Sequence, residues 1–170
     1  SDSPEKYRII ECLTARGKTG TGNGSLEKSN IGAPDPDSRI SSVVEIADSA
    51  FEDCDALSIV DLSTADGLQI IPDNCFKNCK GLANVRLPGT VKQIRDNAFS
   101  GITSTDHRLD VIIPGREVDI SDIAFDPKRN VTLWSYRDSA AFRYAQRYYD
   151  NGQGINFEDL GAGSVVFYDY

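Results

Sequence analysis

The sequence predicts an α/β repeat solenoid, in which short parallel strands stack coil on coil and a C-terminal helix closes the stack. Three observations predict it. Phenylalanines recur at positions 51, 76, 99 and 125, at separations of 25, 23 and 26 residues. Each is followed by a short strand-like piece and preceded by a pair of apolar residues in matching register, which is the signature of an internal repeat. After Leu133 that pattern stops and a helical period takes over. A unit of about 25 residues is too short to hold a strand–helix–strand crossover with its own core. Each unit therefore buries its apolar side chains only by stacking on the next.

The elements follow in chain order. Residues 1–42 do not repeat and read as an N-terminal cap. Within them Tyr7–Leu13 is a strand, Gly17–Ser25 a polar glycine-rich loop, and Ala33–Ser38 a connector stiffened by Pro34 and Pro36. Residues 43–134 form about four coils. Ile46-Ala47-Asp48-Ser49-Ala50-Phe51-Glu52-Asp53-Cys54-Asp55-Ala56-Leu57 aligns with Ile71-Pro72-Asp73-Asn74-Cys75-Phe76-Lys77-Asn78-Cys79-Lys80-Gly81-Leu82. Ile94–Phe99 and Ile120–Phe125 repeat the opening of both. Leading pairs precede each phenylalanine: Val43 with Ile46, Leu68 with Ile71, Val91 with Ile94, Val118 with Ile120.

Four strand pieces follow the phenylalanines: Ile59–Leu62, Asn84–Leu87, Asp110–Ile113 and Asn130–Leu133. Their alternation is that of half-buried strands. Residues 135–170 close the array. Asp138–Asp150 is an amphipathic helix with Asp138 or Ser135 as N-cap and Asn151-Gly152 as its stop. Ile155–Phe157 returns as a strand, and Val165–Tyr168 is either one more strand or a continuing tail.

The pattern I-x-x-x-x-F-x-x-C-x-x-L-x-x-V-x-L-P, carried by the coils that begin at Ile46 and Ile71, resembles the BspA-type leucine-rich repeat. The resemblance covers about Val43 to Leu133, with a further match in the closing helix and strand. The third unit departs from it at Ser100-Gly101-Ile102 and is lengthened around Ser104–Arg108. The fourth is shortened after Phe125, where Pro127 and Lys128 stand in place of the cysteine segment. The family occurs in bacterial and some protozoan surface proteins. The resemblance therefore implies a secreted or cell-surface chain whose usual role is adhesion or binding of another protein.

Composition narrows the classes. A net charge of -8 and a pI near 4.6 disfavour nucleic acid and anionic membrane as partners. No apolar run approaches the roughly 20 residues of a membrane helix, so no membrane insertion of this segment is expected. Methionine is absent, even at position 1, which reads as a processed chain or a fragment with any signal peptide already removed.

Motifs that carry chemistry are weighed and set aside. Gly17-Lys18-Thr19 lacks the glycine that a phosphate loop needs five residues earlier, where Cys12 stands. Cys54 and Cys79 share one phase of the repeat and Cys75 fills a small interior slot, so all three read as reduced, buried thiols. Cys75-x-x-x-Cys79 is off the zinc pattern, and His107 is the one histidine, so no metal or other cofactor is expected. His107 reads as an exposed loop residue, and no carboxylate pair or calcium loop stands out. Asn130-Val131-Thr132 is a glycosylation sequon placed in a strand.

The candidate site is the solenoid's strand face. With Val60, Leu62, Val85 and Leu87 inward, the outward residues are Ile59, Asp61, Asn84, Arg86, Asp110, Ile112, Asn130 and Thr132. This mixed polar stripe is expected to take a protein or glycan ligand, in a non-catalytic, extracellular or cell-surface module. The alternative is a structural spacer of a larger surface protein with no ligand on this face. A hydrolytic enzyme using the N-terminal loop and His107 is the third class considered. Ligand identity and oligomeric state are not readable from the residues.

Overall fold

A computed structural model of the chain describes residues 8–9, 43–102, 107–126, 130–149 and 154–161. The glycine-rich loop, the proline connector, the helix stop and the C-terminal tail of the sequence reading lie outside these residues.

Eight strands make four turns of a parallel β-solenoid. Each turn places one strand on a small sheet and one on a large sheet. The first turn has β2 (Glu45–Ile46) and β3 (Ile59–Asp61); the second has β4 (Ile70–Ile71) and β5 (Asn84–Arg86). The third has β6 (Gln93–Ile94) and β7 (Leu109–Ile112); the fourth has β8 (Asp119–Ile120) and β9 (Val131–Ser135). A closing strand β10 (Ile155–Asp159) joins the large sheet, whose order is β10-β9-β7-β5-β3, all neighbours parallel. The small sheet runs β4-β6-β8. Of the expected N-terminal strand, the described part is β1 (Arg8–Ile9), which pairs in parallel with β2.

The repeat motif explains each corner. Phe51, Phe76, Phe99 and Phe125 are fully buried and stack as a ladder, with ring centroids 5.2, 5.3 and 5.0 Å apart and planes within 16°. In the first three turns the chain reaches this ladder through left-handed backbone at two places each. Ser49, Asn74 and Asn97 have φ of 58°, 57° and 56°, and Asp53, Asn78 and Gly101 have 63°, 59° and 68°. Asn, Asp and Gly tolerate that region best, which is why polar residues hold these sites. Each kink turns amides toward the next turn. Phe51 N donates to Cys75 O at 3.0 Å, Phe76 N to Ala98 O at 2.8 Å and Phe99 N to Ala124 O at 2.8 Å. The corner is thus a third hydrogen-bonded seam, made of turns instead of strands.

The small sheet is interrupted between β2 and β4. In later turns Arg95 N donates to Ile71 O and Ser121 N to Ile94 O, both at 2.9 Å. Pro72 occupies the same place in the second turn and has no N–H to give. β2 pairs with β1 and does not join β4.

Several expectations are corrected. The repeats are strand and turn, and the one helix among the described residues is α1 (Ala140–Tyr149), so the architecture is a parallel β-solenoid and the α/β part of the expected class does not describe its coils. Its N-cap is Ser139, whose Oγ accepts from Phe142 N at 3.1 Å, and neither Asp138 nor Ser135 serves. Asp138 instead pairs with Arg116, and Ser135 is buried at the end of β9 with its hydroxyl unpartnered. The helix lies against the last turn: Tyr144 stands 5.9 Å from Phe125 at a 57° tilt, and Phe142 meets Phe157 edge-on at 4.9 Å. Arg147 pairs with Asp122 at 2.5 Å and Arg143 with Glu117 at 3.4 Å, tying the polar side of α1 to the fourth turn.

Candidate ligand face

The outward side of the large sheet carries two rows of side chains. The strand register aligns Ile59, Asn84, Asp110, Thr132 and Asn156 in one row, and Asp61, Arg86, Ile112, Trp134 and Glu158 in the next. Between the rows Val60, Val85, Val111 and Leu133 point inward and are fully buried. Strand spacing of about 4.8 Å makes each row about 19 Å long.

Seven of the eight residues of the expected face lie in these rows, six of them at their aligned positions. The fourth strand is displaced by two residues from the sequence alignment, because Asp110 pairs with Thr132 and Ile112 with Trp134. A shift of two keeps every side chain on its face, so Thr132 remains outward but moves to the first row. Asn130 precedes β9, and Trp134 takes the second row. Trp134 and the β10 residues Asn156 and Glu158 were missed. Their signal was available for Trp134 alone, as the next alternate residue of a longer strand.

Accessibility also differs from the expectation. Ile59 is 43% exposed, and Asp61, Asn84 and Arg86 are half-buried. Asp110, Thr132 and Ile112 are only 3%, 2% and 7% exposed, so the middle of the stripe is closed, not open. Its chemistry explains part of this. Arg108 Nε donates to Asp110 Oδ2 at 2.9 Å, and Trp134 Nε1 donates to Asp110 Oδ1 at 2.8 Å. The indole reaches diagonally between neighbouring strands to do so, and Ile112 lies in the row between Arg86 and that indole. At the N-terminal end Arg86 pairs with Asp61 at 3.6 Å, and Asp61 also accepts from Ser63. Asn84 Oδ1 is buried and has no hydrogen-bond partner.

A second concavity, of about 810 Å³, opens where the small sheet is interrupted. Glu45, Ile46, Gly67, Ile70, Pro72 and Arg95 line it. Gly67 admits the side chain of Val44, which would overlap a β-carbon at that position. The groove follows from Pro72, and a proline at a ladder position is the sequence signal that announces it.

His107 is half-buried, not exposed, and its Nε2 is 3.1 Å from the Leu82 carbonyl. Cys75 and Cys79 are free and buried as expected. Burial, with like charge nearby, pushes both thiols up, Cys79 to about 12. A nucleophilic cysteine needs the opposite shift. Cys54 is disulfide-bonded, which overturns its reading as a reduced thiol; its partner lies outside the described residues. Among the described residues no three His, Cys, Asp or Glu side chains are grouped to hold a metal ion, and no helix is long and apolar enough to cross a membrane.

Comparison with known proteins adds one finding. A family model for the BspA type leucine rich repeat region, of six copies, matches residues 38–136. No curated protein sequence and no solved structure matches the chain.

Proposed function

The chain belongs to the BspA-type leucine-rich repeat family, and from that premise we propose that it is a non-catalytic interaction module, exported to the cell surface or secreted, which binds a protein or glycan through the rim of its large sheet. The single observation that carries this reading is the doubly rowed outer face, whose accessible groups are Ile59, Asp61, Arg86, Asn156 and Glu158, with Trp134 beside Glu158. Such a face offers an aromatic plane, one apolar contact and charges of both signs, the mix that recurs at protein–protein contacts. The disulfide at Cys54 supports export, because disulfides persist in oxidising compartments. The acidic net charge makes nucleic acid a poor partner. We assign residues 1–42 to an N-terminal cap, 43–134 to the solenoid and 135–170 to the closing segment. There α1 shields the end of the phenylalanine ladder, as an array's final coil requires.

The test is a binding screen of the 170-residue chain against immobilised extracellular proteins and a glycan array, repeated with Ile59→Asp and Arg86→Glu. These variants touch the rim and not the core. The reading expects at least one probe whose binding falls tenfold or more in both, accompanied by a change in the fluorescence of Trp134, the one tryptophan. Binding that neither variant alters would move the ligand elsewhere and overturn the face.

One observation favours the spacer alternative. The charges of the face are satisfied internally, Asp110 at its middle by Arg108 and Trp134, and Arg86 toward its N-terminal end by Asp61. A face that needs no partner for its own charges suits a spacer, and a screen without a single binder would select that reading.

A further inference from the structure

The residue that the register removes from the ligand face has chemistry of its own. Asn130-Val131-Thr132 is an N-x-T sequon with no proline inside it or directly after it. Asn130 is exposed, and its backbone is fixed: its carbonyl accepts from Leu109 N at 2.9 Å. Neighbours leave room above its side chain. Ile155 pairs with Val131, so the residue opposite Asn130 on the outer strand is Gly154, which has no side chain to fill the space. On the inner side the matching residue is Arg108, drawn away toward Asp110. Val131, Thr132 and Leu133 are buried in β9, so Asn130 is the one part of this motif that the folded chain offers to solvent.

We propose that Asn130 is an acceptor for an N-linked glycan when the chain passes through a compartment that holds an oligosaccharyltransferase. The donor is a lipid-diphosphate-linked oligosaccharide. Asn130 Nδ2 forms a bond to the anomeric carbon, the bond from that carbon to the diphosphate oxygen breaks, the amide gives up one proton and the lipid diphosphate leaves. The transfer precedes folding, when Thr132 is still accessible, and the fold then carries the sugar outward. The glycan stands on the same side of the sheet as Trp134, before the first row. It therefore crowds the start of the first row beside Asn156 and leaves the Ile59, Asp61 and Arg86 end of the face open to a ligand. The natural setting of this proposal rests on the export reading above.

The experiment supplies export independently. The 170-residue chain is secreted from a eukaryotic host behind a host signal peptide, treated with peptide-N-glycosidase F, and digested with trypsin. Cleavage after Arg129 and Arg137 isolates Asn130–Arg137 as one peptide and separates it from the second sequon, Asn23-Gly24-Ser25. The proposal expects this peptide to carry aspartate at 130 after enzyme treatment and a glycan before it. Thr132→Ser, which keeps the motif, should retain the glycan; Thr132→Val, which keeps the shape, should lose it; and Asn130→Gln should lose it as well. Secreted, folded chain whose peptide holds unmodified Asn130 overturns the assignment, and it does so without bearing on where the natural chain resides.

Discussion

Replacing Phe76 by leucine removes an aromatic ring from the middle of the ladder while leaving a large apolar side chain in the same fully buried site. Phe76 lies between two rings, 5.2 Å from Phe51 and 5.3 Å from Phe99, at 12° and 16° between planes. An aromatic pair contributes about 0.5–1.5 kcal/mol beyond the area it buries, so losing two pairs should cost about 2 kcal/mol. Phe51 has Phe76 as its ring neighbour among the described residues, and Phe51→Leu should cost about half as much. With a urea slope of about 2 kcal/mol/M, the midpoint falls by about 1 M for Phe76→Leu and about 0.5 M for Phe51→Leu. Unfolding is followed by circular dichroism and by Trp134 fluorescence. Coincident curves from the whole backbone and from the last turn show that the array melts as one unit. The double variant should show a coupling of about 1 kcal/mol. Equal costs for the two single changes, or a coupling below about 0.3 kcal/mol, would mean that the rings contribute only buried area and would refute the reasoning.

Two further predictions concern the corner seam and the buried thiols. Gly101→Ala places a β-carbon where φ is +68° and where it would overlap Asn78 Oδ1, so a loss of about 1–2 kcal/mol or more is expected in the same urea assay; Asn78→Gly in that background should recover part of it. The Cys79 thiol stands at about 12 against an ordinary 9.0, with burial the largest cause. Below pH 9 the folded and unfolded chains both hold the proton and nothing is lost. Above it the unfolded chain sheds a proton that the folded one retains, so stability should decline from about pH 9 toward pH 12. Urea midpoints at pH 8 and pH 10 should differ less in Cys79→Ala than in the natural chain. In the folded protein at pH 8, neither Cys75 nor Cys79 should react with iodoacetamide, and both should react once urea unfolds it.

The repeat was legible because it is enforced at every turn by the same physical need. A ring at 51, 76, 99 and 125, a small residue before each and a β-branched or leucine residue on each strand must all recur, or the coils would not stack. The inward set Val60, Leu62, Val85 and Leu87 was readable for the same reason, since alternation allows only one buried face. The face itself was legible in membership but not in accessibility. Asp110 is closed in part by Trp134, which reaches it from the neighbouring strand 24 residues away, a contact that no local pattern announces.

The N-cap shows the same division. The sequence reading offered Asp138 or Ser135, whereas Ser139 caps the helix and Asp138 pairs with Arg116, 22 residues earlier. The disulfide at Cys54 was misread because its phase in the repeat describes a buried slot and says nothing of what reaches it from outside the repeat.

By itself the sequence determined the four-turn solenoid, the ladder, the inward faces and the closing helix, because periodic burial writes itself into every unit. Tertiary structure alone decided the register of β9, the crowding of the outer face and the long-range partners of the charged side chains. Those depend on which rung meets which across strands 22 to 26 residues apart, a distance over which side-chain pairing is chosen by the assembled stack and not by neighbours along the chain.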